Sequence, residues 1–64
     1  MNATITRITL ELPVQQTLAL AQFVKRVNWT EIRANAVDPE EAYLIRDALA
    51  QLRKALATEG FAPR

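Results

Sequence analysis

Apolar and polar residues alternate with a period of two near the start of the chain. In ITRITLELP, the apolar residues Ile8, Leu10 and Leu12 are separated by single polar residues. This spacing is typical of a strand with one buried face. Pro13, which has no backbone N–H to donate, ends the pattern. The sequence therefore predicts a short strand over residues 4–12.

A single strand does not satisfy its own backbone hydrogen-bonding groups. The predicted strand must therefore pair with the tail of the chain, with another segment or with a second copy, or else remain frayed. The sequence leaves these alternatives open, so both a monomer and a homodimer are compatible with it.

From Pro13 onward the apolar spacing changes to three and four residues, which is typical of amphipathic helices. This pattern predicts a first helix over about residues 13–27. Asn28 and Glu31 have the spacing of a capping box and predict a short second helix over about residues 29–36. The apolar residues of the first helix are Val14, Leu18, Leu20, Ala21, Phe23, Val24 and Val27.

The start of a third, long helix is the most strongly marked position in the sequence. Asp38 can accept hydrogen bonds from the free N–H groups of the next turn, and Pro39 suits the first helical position. Glu41 can complete a second capping box. The helix is predicted over about residues 39–58. Its apolar positions are Ala42, Leu44, Ile45, Ala48, Leu49, Leu52, Ala55 and Leu56.

The third helix also has a predicted end. Gly60 can adopt the left-handed conformation, Phe61 can fold back onto Leu56 or Ala57, and Pro63 prevents continuation. The expected fold class is mostly α (α+β): a short N-terminal strand and three helices packed as one small domain over residues 1–64. The first and third helices should pack antiparallel, with Leu49 in the core.

Composition narrows the chemistry that the chain can carry out. Its 64 residues include 8 Lys and Arg against 7 Asp and Glu, which gives a net charge of +1, and neither Cys nor His is present. The chain therefore lacks a thiol, an imidazole and the usual zinc ligands. We expect no catalytic residue, no metal and no cofactor. The chain has no signal-like start and no membrane-length apolar run, so a cytoplasmic location is expected.

Acidic residues are concentrated in the middle of the chain. Residues 31–47 contain five acids and two arginines, a local charge of 2 − 5 = −3, whereas both flanking segments are net positive. Acids near a helix start are stabilised by the helix dipole, so capping alone can explain them. Charge segregation can also steer a basic partner. The sequence leaves open whether these acids cap a helix or contact a partner.

Aromatic residues lie close to this acidic segment. Core packing is the simplest interpretation of Trp29 and Tyr43, although both residue types are also favoured as binding anchors. We therefore treat a partner-binding surface as a hypothesis. Its candidate residues are Trp29, Glu31, Arg33, Asp38, Glu40, Glu41, Tyr43 and Asp47.

The predicted order of strand, helix and helix is similar to that of ribbon-helix-helix DNA-binding proteins, in which two chains pair their strands in the major groove. In such an arrangement Arg7 and Thr9 could read bases. Glu11 would lie on the same DNA-facing side, and VDPEE interrupts the chain where that fold has a single turn. A dimeric transcriptional repressor is therefore the alternative interpretation.

Over about residues 8–64 the chain resembles known proteins, and three segments show this most clearly: LALAQFVKRVNW, RANAVDPEEAYLIRDAL and GFAPR. They resemble a family of short proteins carried by phages and integrative elements of proteobacteria. Proteins of this kind include anti-CRISPR inhibitors, which bind a component of a Cas interference complex. The resemblance assigns no catalytic residues. It implies a non-enzymatic inhibitor that acts in the cytoplasm of a bacterial host cell, binds a host protein complex and blocks target DNA recognition, rather than a direct nucleic-acid binder.

Overall fold

The computed structural model describes residues 4–61, which form a mainly helical small domain. The helices in this range are α1 (Val14–Arg26), α2 (Trp29–Ala34) and α3 (Pro39–Thr58). Each begins and ends within two residues of its predicted position. None of these helices has both the length and the apolar character needed to cross a membrane. Pro63, which was predicted to block continuation of α3, lies outside the described residues.

The predicted N-terminal strand is wrong. Residues 4–12 form neither strand nor helix, and no strand occurs within the described range. The apolar side chains of this segment are open to solvent, with Ile5 92% and Ile8 77% exposed. A period of two indicates which face of a strand could be buried, but it does not supply a second strand with which to share hydrogen bonds.

Side-chain caps explain why α2 and α3 begin where they do. Asn28 Oδ1 accepts a hydrogen bond from the Glu31 N–H at 2.9 Å, and Glu31 Oε1 accepts one from the Asn28 N–H at 3.2 Å. Asp38 Oδ1 likewise accepts from the Glu41 N–H at 2.8 Å. Glu41 Oε1, however, accepts from the Val37 N–H at 3.0 Å, one residue before the position predicted for a capping box. Both starts are thus held by reciprocal local bonds.

The end of α3 follows the predicted pattern. Gly60 has φ of +91°, a conformation that glycine adopts without the steric penalty of a Cβ. The Phe61 N–H then donates a hydrogen bond to the Leu56 carbonyl at 2.8 Å, and the Phe61 ring packs against the core. The left-handed glycine therefore turns the chain back onto α3.

The core lies where α3 packs against α1 and α2. Leu56 is buried with Ala21 and Val24 of α1 in one cluster. Other buried apolar residues in the described range are Ile32 and Ala42. Partly buried side chains around the cluster are Leu20, Leu49, Leu52 and Phe61. So few fully buried side chains are typical of a very small domain and indicate marginal stability.

The two longer helices run antiparallel, as the sequence predicts. Thr17, early in α1, lines the same groove as Glu59 just beyond α3. Val27, just beyond the end of α1, lines another groove with Ile45 near the start of α3. The start of α1 therefore lies beside the end of α3, and the end of α1 lies beside the start of α3. The apolar face of α1 is only partly covered, because Val14, Leu18 and Phe23 remain 63%, 48% and 55% exposed.

Candidate partner-binding surface

Two aromatic rings and an arginine form an exposed cluster at the junction of α2 and α3. The ring centroids of Trp29 and Tyr43 are 4.9 Å apart, with 38° between the ring planes. Arg46 Cζ lies 5.1 Å from the centroid of the Tyr43 ring, within the range of a cation–π contact. Trp29 is 41% exposed and Tyr43 is 50% exposed. We call these three residues the aromatic cluster.

The helix starts determine where the aromatic cluster forms. The Asn28 cap places Trp29 at the first position of α2, and the Asp38 cap places Tyr43 in the second turn of α3. Ala42, adjacent to Tyr43, is fully buried. Close packing in the interior therefore reaches the residue directly beside Tyr43.

An open groove adjoins the aromatic cluster. Trp29, Arg46 and Arg53 line it together with apolar residues from all three helices, and its volume is about 260 Å³. The apolar lining residues are Val24, Val27, Ile32, Leu49 and Ala50. Arg53 Nη2 donates a hydrogen bond to the Val24 carbonyl at 3.2 Å, which holds this guanidinium in place. An apolar groove beside guanidinium groups suits an apolar side chain flanked by a carboxylate.

Three of the predicted acidic site residues act as caps. Glu31, Asp38 and Glu41 each accept a backbone hydrogen bond at a helix start. Such bonds satisfy N–H groups that have no partner within the helix. Their position in the chain is therefore explained by helix initiation, without any contribution from a partner.

The other two predicted acidic site residues, Glu40 and Asp47, are exposed and do not cap a helix. Asp47 Oδ1 forms an ion pair with Arg46 Nη2 at 3.0 Å, and the two side chains are 67% and 55% exposed. This places Asp47 beside the aromatic cluster through a shared arginine. Glu40 is exposed in the first turn of α3, and within residues 4–61 its carboxylate accepts no hydrogen bond. Glu40 and Asp47 are thus the acids best placed to meet another molecule.

The structure places a different arginine at the candidate site from the one that the sequence predicts. Arg33 was a predicted site residue, but its Nη1 donates to the Ala36 carbonyl at 3.5 Å, which ties it to the loop after α2. Arg46 was not predicted, although it contacts both Tyr43 and Asp47. Its position three residues after Tyr43 on one helix was the signal that could have identified it.

Metal binding finds no support in the part of the chain that the structure describes. No three His, Cys, Asp or Glu side chains there are grouped in a way that could hold a metal ion. The side chains that converge at the α2–α3 junction offer aromatic, guanidinium and carboxylate contacts, which are the chemistry of protein recognition.

Comparisons with known proteins give one match. A family model, described as a family of unknown function (DUF7706), matches residues 1–64. Neither the curated proteins nor the solved structures include a match. A family of unknown function assigns no activity, so the chemistry of the site has to carry the functional argument.

Proposed function

The chain belongs to DUF7706, a family of unknown function, and we propose that it acts as a small non-enzymatic inhibitor that binds a protein partner. The contact surface centres on the aromatic cluster of Trp29, Tyr43 and Arg46. The partner covers this cluster together with the adjoining groove, and inhibition follows from the surface that becomes inaccessible.

The exposed aromatic cluster is the observation that carries this proposal. Trp, Tyr and Arg are the residue types most enriched among those that dominate binding energy. Here Tyr43 contacts both Trp29 and Arg46, and all three residues keep large exposed fractions. Because the rings are already positioned by the two helix starts, a partner loses little free energy in ordering them.

Charges of both signs lie within and beside the aromatic cluster. Arg46 and Arg53 line the groove, and Glu40 and Asp47 lie on the exposed side of α3. This arrangement matches a contact with an apolar centre and a polar rim. The exposed acids add electrostatic steering toward a basic region of the partner, while the aromatic cluster supplies most of the affinity.

The resemblance to short proteins of phages and integrative elements supports a specific form of this proposal, an anti-CRISPR protein that occludes a surface of a Cas interference complex. Occlusion requires no catalytic group. A typical protein contact covers about 800 Å² on each partner, which is a substantial part of the 5676 Å² accessible surface of this chain. Even a small domain can therefore block a functional surface by binding alone.

Two assays with the same variants test the proposal. The first measures phage plaquing on a host whose active CRISPR system restricts that phage, with and without the expressed chain. The second measures binding to the purified Cas interference complex of that host. We expect Tyr43→Ala and Arg46→Gln to weaken binding by about thirtyfold each, the effect of losing a dominant contact of about 2 kcal/mol.

Matched controls separate the contact surface from general effects on the fold. Phe23→Ala removes an aromatic ring of similar exposure from α1, and Arg7→Gln removes a positive charge outside the helices. Both should bind within about twofold of the parent. Melting curves identify any variant that is unfolded.

The outcomes are distinct. A parent chain that neither binds a Cas complex nor restores plaquing contradicts the anti-CRISPR form. Binding that is unchanged by Tyr43→Ala and Arg46→Gln places the contact surface elsewhere. Specific binding of a promoter fragment in place of a protein would support the dimeric repressor instead. The non-helical residues 35–38, which separate α2 from α3, count against that outcome.

A further inference from the structure

The open groove beside the aromatic cluster carries positive charge. Trp29 and Arg46 belong to both the cluster and the groove, so the groove continues the surface that the proposed partner covers. Its charged lining residues, in the part of the chain that the structure describes, are Arg46 and Arg53. Apart from Trp29, the remaining lining residues are apolar. We call this site the arginine groove.

The size of the arginine groove matches a side chain better than a whole small-molecule ligand. Its volume is about 260 Å³, whereas pockets for drug-sized molecules measure about 300–1,000 Å³ and enclose most of the ligand. The groove lies where all three helices meet and is open to solvent. It therefore suits a side chain that a segment of another protein presents.

Arg53 carries a charge that its surroundings leave without an opposite charge. Its Nη2 donates a hydrogen bond to the Val24 carbonyl at 3.2 Å, an uncharged acceptor. That bond uses one of the five N–H donors of the guanidinium group. Within residues 4–61, no carboxylate forms an ion pair with Arg53. The guanidinium is therefore held in position while it keeps donors for a further acceptor.

Arg46 is also held in place beside the groove. Its guanidinium lies 5.1 Å from the Tyr43 ring centroid, and its Nε and Nη2 donate to Asp47 Oδ1 at 3.2 and 3.0 Å. No bond among the described residues uses its Nη1. Exposed ion pairs of this kind contribute little free energy, so another carboxylate readily replaces Asp47. An incoming carboxylate thus finds a second guanidinium that is already ordered.

Helix geometry places the two arginines on one face of α3. They are seven residues apart in the sequence, which corresponds to two turns and about 10 Å along the helix axis. Leu49 and Ala50 lie between them in the sequence and line the same groove. Along α3, the apolar floor of the groove is therefore flanked by a positive group at each end.

We infer that the partner in the proposed function inserts an apolar side chain into the arginine groove, from a segment that carries carboxylates beside that side chain. Guanidinium groups bind carboxylates through charge-assisted and frequently bidentate hydrogen bonds. A basic residue at the same place would meet like charge, which selects against such a segment. The inference rests on the proposed function for the choice of surface, and it adds the chemistry of the partner.

The acidic residues of this chain are compatible with an acidic segment on the partner. Glu40 and Asp47 do not line the arginine groove. They steer a basic region of the partner, while the groove recognises the acidic segment. The partner therefore presents charges of both signs, with the acidic residues next to its apolar anchor.

Short peptides of defined sequence test the inference with the isolated chain. The probe is a pentapeptide with blocked ends, a central leucine, a glutamate on each side of it and a glycine at each end. One matched peptide replaces both glutamates by glutamine, and another replaces the leucine by serine. The chain contains a single tryptophan, so the indole N–H resonance of Trp29 reports binding at the groove.

The peptide with leucine between two glutamates should bind with a dissociation constant of about 1 mM, because one side chain with its flanking charges is a small contact. The glutamine peptide should bind about tenfold more weakly, since it loses the charge-assisted bonds. The serine peptide should also bind about tenfold more weakly, since it buries no apolar side chain.

Variants connect this preference to the two arginines. Arg46→Gln and Arg53→Gln should each reduce the preference for glutamate over glutamine from about tenfold to about threefold. A change in packing alone would weaken the binding of both peptides equally and leave the preference unchanged. Lys54→Gln removes one positive charge from α3 outside the groove and should keep the full preference. Circular dichroism checks that the helices of each variant are intact.

Several results of the titration would overturn the inference. Equal binding of the glutamate and glutamine peptides would do so, as would a preference that survives in both arginine variants. Loss of the preference in Lys54→Gln would assign it to net charge. Equal binding of the serine peptide would show that no apolar side chain enters the groove. A Trp29 resonance that no peptide shifts at about 10 mM would exclude the groove as a docking site.

Other occupants of the groove would give different results. Tighter binding of a peptide that ends in leucine with a free terminal carboxylate would replace the internal segment by a chain end. Self-association in sedimentation equilibrium that Arg53→Gln abolishes would assign the groove to a second copy of this chain. Either result would overturn an acidic internal segment as the occupant.

The peptide titration and the assays of inhibition can fail separately. The titration requires no Cas protein, and the plaquing and Cas-binding assays involve no peptide. A chain that binds a Cas complex through Tyr43 but shows no preference for glutamate would keep the proposed function and refute the acidic segment. A chain that prefers the glutamate peptide but binds no Cas complex would give the reverse result.

Discussion

The start of α3 offers a sharp test of how local hydrogen bonds stabilise this small domain. Asp38→Ala removes the carboxylate oxygen that accepts from the Glu41 N–H at 2.8 Å. That N–H is one of those left without a partner inside the helix. Because Asp38 is exposed, the change creates no cavity, and its effect on stability reports the cap itself.

The expected magnitude follows from the geometry. Loss of an N-terminal cap lowers the free energy of unfolding by about 1 kcal/mol. At about 0.05–0.15 kcal/mol per residue, a chain of this length has a total stability of roughly 3–10 kcal/mol. The melting temperature should therefore fall by about 4–8 °C. Asp38→Asn retains a side-chain oxygen that can accept the bond, so it should lose only the interaction of the charge with the helix dipole, about 0.3–1 kcal/mol.

Chemical denaturation followed by circular dichroism measures these differences, with Glu40→Gln as the matched control. Glu40 lies in the same turn, and its carboxylate accepts no hydrogen bond within the described residues. The control should therefore lose only the interaction of one exposed charge with the helix dipole, about 0.3 kcal/mol, which is less than Asp38→Ala loses. If Glu40→Gln destabilises the chain as much as Asp38→Ala does, net charge rather than the capping bond stabilises this helix start, and the reasoning fails.

Further predictions concern the core and the chain reversal after α3. Leu56→Ala should lower the free energy of unfolding by about 2–5 kcal/mol. Its effect should exceed that of Leu49→Ala, because Leu56 is buried whereas Leu49 is partly exposed. Equal effects of the two variants in denaturation experiments would contradict this assignment of the core. Gly60→Ala should destabilise the chain by about 1 kcal/mol through backbone strain at φ +91°. A Cβ at this position meets no atom within 4 Å, so a steric clash does not contribute. A stabilised variant would refute that account. Arg53→Met should lower stability by about 1 kcal/mol by removing the bond to the Val24 carbonyl, and an unchanged melting temperature would argue against that bond.

The helices could be predicted from the sequence because their determinants are local. Asn28 and Asp38 accept hydrogen bonds from residues three positions later, and Gly60 sets its own backbone conformation. Signals of this range are visible in a short window of sequence. The positions of all three helices therefore followed from capping residues and apolar spacing.

Features that depend on distant residues were harder to predict. The alternation at Ile8 and Leu10 predicts a strand, and this prediction is wrong because strand formation requires a partner segment that the pattern does not contain. Phe23 belongs to the apolar face of α1 but is 55% exposed, because α3 covers only part of that face. The stacking of Trp29 on Tyr43 depends on how α2 packs against α3, and single-sequence periodicity carries no information about that packing.

The short range of the hydrogen bonds has a consequence for how quickly the domain folds and opens. Within residues 4–61, the side-chain bonds of the helix starts join residues three or four positions apart, whereas the bond from Arg53 to Val24 spans 29 positions. Chains dominated by local contacts fold in microseconds to milliseconds. The junction of α2 and α3 can therefore form before α1 docks. Amide hydrogens of α1 should consequently exchange with solvent sooner than those in the middle of α3.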